Sequence, residues 1–265
     1  MSDDFELFSS VLQALEDVGI LSSLVIIGGW AQHLYRRYFN NPNELSILRT
    51  FDIDLLFARP PRLLAHGNLD EAFGAIGFRR QNGANGSTKY SHPEAEIEFL
   101  IPDRGRGDEE PYLIKELAIR AQSLRLVDRL MVEPIEVKYG KFRVKVPDPI
   151  RFCFHKLLVS KRRPRKGKRE KDIQTAIELA ALLSRSPKWR KFLPARLDEL
   201  PPKQRALVLS LLKESNSPAA VVIEAKDRPD MGAFVVKMRS PVGPWPRPGE
   251  PDGPLSGPGG WPSGR

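Results

Sequence analysis

Two segments of the chain alternate apolar and acidic residues, and this pattern most limits the folds that the chain can adopt. In the segment 50–57 the apolar side chains fall on one side: Phe51, Ile53, Leu55 and Phe57. In the segment 94–102 the same holds for Ala95, Ile97, Phe99 and Ile101. Because successive side chains of a β-strand point to opposite faces, both segments are predicted to be strands with one buried and one acidic face.

The acidic faces carry Asp52 and Asp54 on the first strand and Glu96 and Glu98 on the second. Acids that point to the same side of a sheet repel one another and are costly to desolvate unless a cation lies between them. Carboxylate ligands alone suit Mg²⁺ or Mn²⁺, which take their remaining ligands from water and substrate phosphates. The alternative is an ordinary half-exposed sheet whose polar face meets water.

A pair of glycines, Gly28-Gly29, joins a predicted apolar strand, Leu24–Ile27, to a helical pattern that resumes at Trp30. Glycine has no Cβ, so a ligand can approach the backbone closely, and the N–H groups at the start of a helix attract phosphate. Tight packing explains such a junction equally well.

The other patterns complete an α+β order. Helical spacing covers residues 3–18 and 69–76, and a hairpin is predicted over 135–146. Asp148-Pro149 fits the start of a helix, because aspartate caps the first N–H groups and proline is tolerated in the first turn. Further helical stretches are predicted at 173–183 and 204–213.

This order predicts three regions. They are an α/β core over 1–147, a helical domain over 148–240 with a basic loop at 161–171, and a tail over 241–265. More than half of the tail residues are Pro or Gly. Such a segment buries too little apolar surface to offset its chain entropy, so the tail is expected to be disordered.

The composition limits the compartment. Among 265 residues there is one cysteine, Cys153, which excludes an intramolecular disulfide and a multi-cysteine metal site. No run approaches the roughly 20 apolar residues of a membrane span, and the acidic N-terminus lacks the features of a signal peptide. A cytoplasmic protein without membrane contact is expected.

The net charge of +9 is concentrated in the segment 151–171, which holds ten basic residues and one acid, Glu170. The partner of such a segment is expected to be an anion, either a nucleic-acid backbone or a polyphosphate. A solvated basic loop without a ligand is the alternative.

The order of these motifs resembles that of the DNA polymerase β nucleotidyltransferase superfamily, with a closer likeness to bacterial nucleotidyltransferases of the abortive-infection and type IV toxin class. The shared order is Gly28-Gly29 before a helix, Asp52-Ile53-Asp54 on a strand and an acid on a later strand. Further matching stretches are Arg49-Thr50, Val146-Pro147-Asp148-Pro149, His155-Lys156-Leu157 and Lys171-Asp172-Ile173. The likeness spans residues 20–185 and implies an α+β nucleotidyltransferase fold, a mixed sheet with flanking helices, followed by a helical C-terminal part.

The resemblance also implies catalytic and binding roles for individual residues. Asp52, Asp54 and Glu98 would hold two Mg²⁺ or Mn²⁺ ions. Lys156 would contact the triphosphate, and Asp172 would orient that lysine or the acceptor; a surface lysine and a simple helix N-terminal charge are the alternatives. The remaining nucleotide contacts implied are Gly28, Gly29, Arg49 and Thr50.

The chain departs from the family pattern in two places. Many members have Gly-Ser where this chain has Gly28-Gly29, so a hydroxyl that would contact phosphate is missing. The third acid is ambiguous, since Glu96 and Glu98 face the same way and glutamate reaches further than the commoner aspartate.

The basic segment would bind the acceptor, which is RNA such as tRNA or a protein with an acidic surface. The residues expected to contact RNA are Lys161, Arg162, Arg163, Arg165, Lys166, Lys168 and Arg169. A toxin of this class would also have an antitoxin partner.

Three functions follow from these features. The first is an Mg²⁺-dependent nucleotidyltransferase that moves a nucleoside monophosphate from an NTP to a hydroxyl acceptor, including a growth-inhibiting toxin or phage-defence enzyme. The second is a non-catalytic nucleic-acid-binding protein of the same fold. The third is a small-molecule nucleotidyltransferase such as an antibiotic-modifying enzyme, for which the sequence carries no acceptor-pocket signature.

Overall fold

The computed structural model describes residues 3–40, 45–46, 50–63, 66–104 and 110–225. The strands are β1 Leu24–Ile27, β2 Asp52–Phe57, β3 Arg79–Asn82, β4 Thr88–His92, β5 Ala95–Pro102, β6 Tyr112–Ile114, β7 Ile119–Leu124, β8 Ile135–Tyr139 and β9 Phe142–Val146. The α-helices are α1 Asp3–Asp17, α2 Gly28–Tyr38, α3 Leu69–Ala75, α4 Pro149–Ser160, α5 Lys166–Arg185, α6 Pro187–Arg190, α7 Leu193–Asp198, α8 Pro202–Glu214 and α9 Pro218–Glu224.

The two acidic strands lie side by side in a mixed sheet. The strand order is β1-β2-β5-β4-β3, with β7 beside the carboxyl end of β5 and β6 paired with β7. β2 and β5 run parallel, while β1 and β4 are antiparallel to their partners. The register places Asp52 opposite Glu96 and Asp54 opposite Glu98. The predicted α+β class is therefore confirmed, and the four acids share one face of the sheet.

The apolar faces of the same strands form the core. Phe57 on β2 and Phe99 on β5 are fully buried, and their rings stack with centroids 5.7 Å apart. On α2, Trp30 stacks on Phe8 of α1 at 3.6 Å between ring centroids. Each such side chain contributes about 1.5–3 kcal/mol on burial, so the alternation fixes which way the acids face.

The helical part begins where the sequence predicts. The Asp148 carboxylate accepts hydrogen bonds from the backbone N–H groups of Ile150 (2.9 Å) and Arg151 (3.0 Å), and Pro149 occupies the first turn of α4. The Tyr35 hydroxyl donates to the carbonyl of Pro147 at 2.9 Å. This bond ties α2 to the entrance of α4.

The basic segment is a loop over only part of the predicted range 161–171. The loop ends at Arg165, and α5 begins at Lys166. The prediction failed because the charge density suggested a loop, although lysine and arginine are good helix formers. For the same reason Asp172, expected to open the helix, lies in its second turn.

Residues 1–227 fall within one compact unit, and the proposed division at 147/148 stays a prediction. The predicted tail, 241–265, and the candidate contact Arg49 lie outside the described residues. In the part of the chain that the structure describes, no helix combines the length and apolar character needed to cross a membrane.

Candidate active site

The glycine bend places the start of α2 against the side chains at the entrance of β2. Gly28 has a φ of +66°, in the left-handed region, and a Cβ there would overlap Oδ2 of Asp54. A Cβ on Gly29 would lie 2.5 Å from the hydroxyl oxygen of Thr50. Close packing therefore requires both glycines, and the hydroxyl of Thr50 lies beside the position that a side chain at residue 29 would occupy.

Asp52 and Asp54 are the carboxylates of β2. Asp52 is exposed and Asp54 is half-buried, and neither side chain makes a hydrogen bond or ion pair with another described residue. Burial raises the pKa of Asp54 to about 7, with the negative charges of Glu98 and Asp52 adding to it and the positive charges of Lys156 and Arg163 opposing it. A bound cation would favour the ionised form of this acid.

Glu96 and Glu98 on β5 already have a cation. The ammonium of Lys89, on β4, donates to Oε1 of Glu96 at 2.8 Å and also contacts Oε1 of Glu98. These bonds raise the pKa of Lys89 although its burial acts the other way. Burial is the largest single effect on both glutamates. It raises the pKa of Glu98 despite Lys89, whereas at Glu96 the hydrogen bonds with Lys89, Glu98 and Ser91, together with the charge of Lys89, outweigh burial and lower the pKa.

Lys89 is a residue that the sequence reasoning missed. The signal was present, because Thr88–His92 and Ala95–Pro102 are separated by only Pro93-Glu94, which is short enough for a hairpin. In that hairpin Lys89 is opposite Glu98.

On the helical side, Asp172 joins two cations. Its Oδ1 accepts from the ammonium of Lys156 at 2.7 Å, and its Oδ2 accepts from Nε of Arg163 at 2.9 Å. Burial would raise the pKa of Asp172, but Lys156 and Arg163 outweigh burial and lower it. Asp172 is therefore ionised at neutral pH and fixes the directions of both side chains.

His155, beside Lys156, is held by a backbone contact. Its Nδ1 lies 3.1 Å from the carbonyl oxygen of Leu126. Burial, followed by the charge of Lys156, lowers the pKa of His155 to about 4. The imidazole is neutral at physiological pH.

One cavity of about 170 Å³ joins the glycine bend, the β2 carboxylates and the α4–α5 cations. The predicted catalytic and nucleotide-binding residues that line it are Gly28, Gly29, Thr50, Asp52, Asp54, Lys156 and Asp172. Glu98 is not among the lining residues. Arg163 and Lys168, expected to contact RNA, do line the cavity, whereas the other five residues of that set do not.

Besides His155 and Lys171, two further polar residues outside the matched motifs line the cavity, Gln32 and Thr175. The hydroxyl of Thr175 on α5 donates to the amide oxygen of Gln32 on α2 at 3.3 Å, and both side chains are buried. Buried polar groups need such partners, so this bond holds the two helices in place across the cavity wall. Each residue lies in an ordinary helical stretch, where no sequence signal marks it.

The donor set at β2 suits Mg²⁺. Among the described residues, no group of three or more His, Cys, Asp or Glu side chains is arranged to hold a metal ion. Mg²⁺ commonly takes one or two carboxylates from the protein and its other ligands from water and substrate phosphates. Asp52 and Asp54 meet that requirement.

A glycine bend, paired aspartates and fixed cations in one cavity are features of a phosphate-handling enzyme class. The family model described as "Nucleotidyltransferase" matches residues 6–193. The chain belongs to this nucleotidyltransferase family, and the broader part of the predicted resemblance is confirmed. The narrower likeness to toxin-class enzymes rests on the sequence motifs.

Two solved structures are similar in arrangement. An antigenic nucleotidyltransferase-like protein from Paracoccidioides brasiliensis is 17% identical, with a TM-score of 0.47 over 84% of this chain and 94% of that chain. The antibiotic-resistance factor ANT(2'')-Ia is 12% identical, with a TM-score of 0.36 over 84% of this chain and 91% of that chain. No curated protein matches the sequence.

Proposed function

We propose that the protein transfers a nucleoside monophosphate from an NTP to a hydroxyl acceptor and releases pyrophosphate, with Mg²⁺ or Mn²⁺ as its cofactor. The observation that carries this proposal is that Asp52 and Asp54, without ion pairs among the described residues, line the same cavity as Lys156 and Asp172. Phosphoryl transfer needs mainly positioning and charge stabilisation, and this set of groups supplies both.

The carboxylate side of the cavity would hold the cofactor. Asp52 and Asp54 are its ligands, and Glu98, in register with Asp54, is the proposed third ligand, for which Lys89 competes. When bound, a divalent ion would lower the pKa of the attacking hydroxyl and offset charge on the leaving pyrophosphate.

The positively charged and N–H groups that line the cavity would hold the nucleotide. Lys156, fixed by Asp172, binds the triphosphate as a compact point charge. The N–H groups at Gly28 and Gly29 start α2 and donate to a phosphate oxygen. The hydroxyl of Thr50 lies beside them and donates to the carbonyl of Asp52 at 3.2 Å, so it would reach a phosphate only by exchanging that bond.

The acceptor we propose is RNA. Five exposed basic residues that are close in sequence do not line the cavity, and we call them the outward basic residues: Lys161, Arg162, Arg165, Lys166 and Arg169. Such a surface favours a polyanion whose binding weakens steeply with salt. The proposal does not extend to a toxin role or an antitoxin partner, because no described residue argues for either.

Incubation of the protein with each α-labelled NTP, Mg²⁺ and either total RNA or total protein tests the activity and the acceptor together. We expect label in RNA with one or more NTPs, loss of transfer in Asp54→Asn, and retention in Glu116→Gln, which removes an exposed carboxylate outside the cavity. Label in protein would contradict the RNA acceptor. Transfer that survives Asp54→Asn would contradict the proposed site.

The second candidate function is a non-catalytic RNA-binding protein of the same fold. The pairing of Glu96 and Glu98 with Lys89 favours it, because those acids need no metal ion for charge balance. Salt-sensitive RNA binding that Asp54→Asn leaves unchanged, without label transfer, would identify this function. Under either function, Gln at the five outward basic positions reduces RNA affinity, and unchanged affinity would refute the acceptor surface.

A further inference from the structure

Arg163 lies on the turn between α4 and α5, within a run of basic residues, but its side chain has a different environment from those of the nearby arginines. Its Nε donates to the buried carboxylate of Asp172 at 2.9 Å, and its side chain lines the cavity that holds Asp52 and Asp54. The neighbouring residues Arg162 and Arg165 do not line this cavity. Sequence position therefore groups these arginines together, but their contacts separate them.

The anchoring of Arg163 leaves its most useful donors available. Within the described part of the chain, the hydrogen bond to Asp172 uses Nε, and neither terminal nitrogen of the guanidinium makes a hydrogen bond. Its side chain is 43% exposed. Two parallel N–H donors on a planar group match two oxygens of a phosphate, a geometry that an ammonium cannot offer.

Lys156 and Arg163, the two cations that contact Asp172, differ in how their charged groups are exposed in the cavity. Lys156, on the other oxygen of Asp172, is only 15% exposed and contacts that carboxylate directly through its one charged atom. Arg163 donates to the same carboxylate through Nε, and its two terminal nitrogens make no hydrogen bond with another described residue. One buried acid therefore positions a point charge and a two-pronged donor in the same cavity.

We propose that Arg163 is a nucleotide-binding residue: held at Nε by Asp172, it donates both terminal N–H groups to the triphosphate of the NTP beside Lys156. This inference rests on the proposed function and names a contact that its sequence neighbours do not share. It also divides the basic segment into a part that holds the nucleotide and a part that faces the acceptor.

The test compares Arg163→Met and Arg163→Lys with Arg79→Met, an exposed arginine of β3 that does not line the cavity. Calorimetry with Mg²⁺ measures binding of non-hydrolysable analogues of the four NTPs, of the matching NMPs and of inorganic tripolyphosphate. We expect Arg163→Met to weaken binding of the preferred NTP analogue and of tripolyphosphate by about tenfold or more, with NMP affinity changed less than about twofold. Arg163→Lys should recover only part of the loss, and Arg79→Met should resemble the wild type.

The contrary results are specific. Equal binding of triphosphates by Arg163→Met and the wild type would overturn the inference. A parallel loss of NTP and NMP binding, together with a lowered melting temperature, would also overturn it, because that result indicates a structural role for Arg163. A wild-type protein that binds tripolyphosphate through Arg163 but no NTP analogue would refute the proposed function and leave Arg163 as a phosphate contact. A wild type that binds neither would refute both.

Discussion

On β2, Asp52 and Asp54 face the cavity without ion pairs among the described residues, whereas on β5 the glutamates share the ammonium of Lys89. The difference lies in the neighbouring strands. β1, beside β2, is entirely apolar and places Ile27 opposite Asp54, while β4 places Lys89 opposite Glu98. Two strands with the same alternation therefore differ in whether their carboxylates are paired with a cation. The residues of the neighbouring strand determine which pair of carboxylates can bind a ligand.

The largest expected effect is on the rate of nucleotidyl transfer, which should depend on the aspartates of β2 much more than on Glu96 of β5. Asp54→Asn should lower the rate of nucleotidyl transfer by at least about 1,000-fold, because it removes a proposed ligand of the cofactor. Glu96→Gln should lower it by no more than about threefold, since Lys89 already occupies that carboxylate. Initial rates at saturating NTP and Mg²⁺ measure both, and equal losses would show that the comparison of the two strands is wrong.

The next largest effect is on stability, and it tests how closely β2 approaches the glycine bend. Gly28→Ala should destabilise the protein by about 2–4 kcal/mol, because it adds a clash with Asp54 to an unfavourable φ. Gly86→Ala is the matched control: its φ of +80° is equally unfavourable, but no atom lies within 4 Å of the added Cβ, so we expect a cost of about 1 kcal/mol. Urea unfolding at pH 7 compares them, and equal costs would contradict the close approach.

The pH dependence of stability probes Asp54 without any ligand. Its pKa is about 7 in the folded protein and near 4 when unfolded, so the folded state binds the extra proton between these values. Stability of the metal-free wild type should therefore fall from about pH 4 to pH 7 relative to Asp54→Asn. Above pH 7 the variant should be the more stable by about 1–3 kcal/mol. Unfolding curves that run parallel across this range would refute the raised pKa.

The smallest effect concerns Lys89. Lys89→Met leaves Glu96 and Glu98 without their shared cation and should destabilise the metal-free protein by about 1–2 kcal/mol, a modest cost because all three groups are partly exposed. The same variant should bind Mn²⁺ several-fold more tightly if Glu98 is the third ligand. Lys138→Met, at an exposed position of β8, is the control. Unchanged Mn²⁺ affinity in Lys89→Met would remove Glu98 from the ligand set.

The local features of the fold could be predicted from the sequence. The alternation over 50–57 and 94–102 gave β2 and β5 and their acidic faces, and Asp148-Pro149 gave the start of α4. These features depend on neighbouring residues alone. β3, in contrast, has the sequence RRQN with every residue exposed, so no alternation marks it.

The candidate site was harder to predict because it depends on pairing between distant segments. The charge balance of Glu98 follows from the β4–β5 register. The direction of Arg163 follows from the packing of α5 against α4, which places the Asp172 carboxylate beside a turn. A pattern of charges along the chain contains neither relation, so Arg163 was grouped with its neighbours.

The carboxylate of Asp172 fixes Lys156 and Arg163 from within the helical pair, and the outward basic residues of the same turn make no contact with it. Arg169 donates to the backbone carbonyl of Arg163 at 3.3 Å, and the side chains of the other outward basic residues make no hydrogen bond with the two anchored cations in the described part of the chain. Under the proposed function, most of the acceptor surface could therefore change while the two cations proposed to hold phosphate keep their positions.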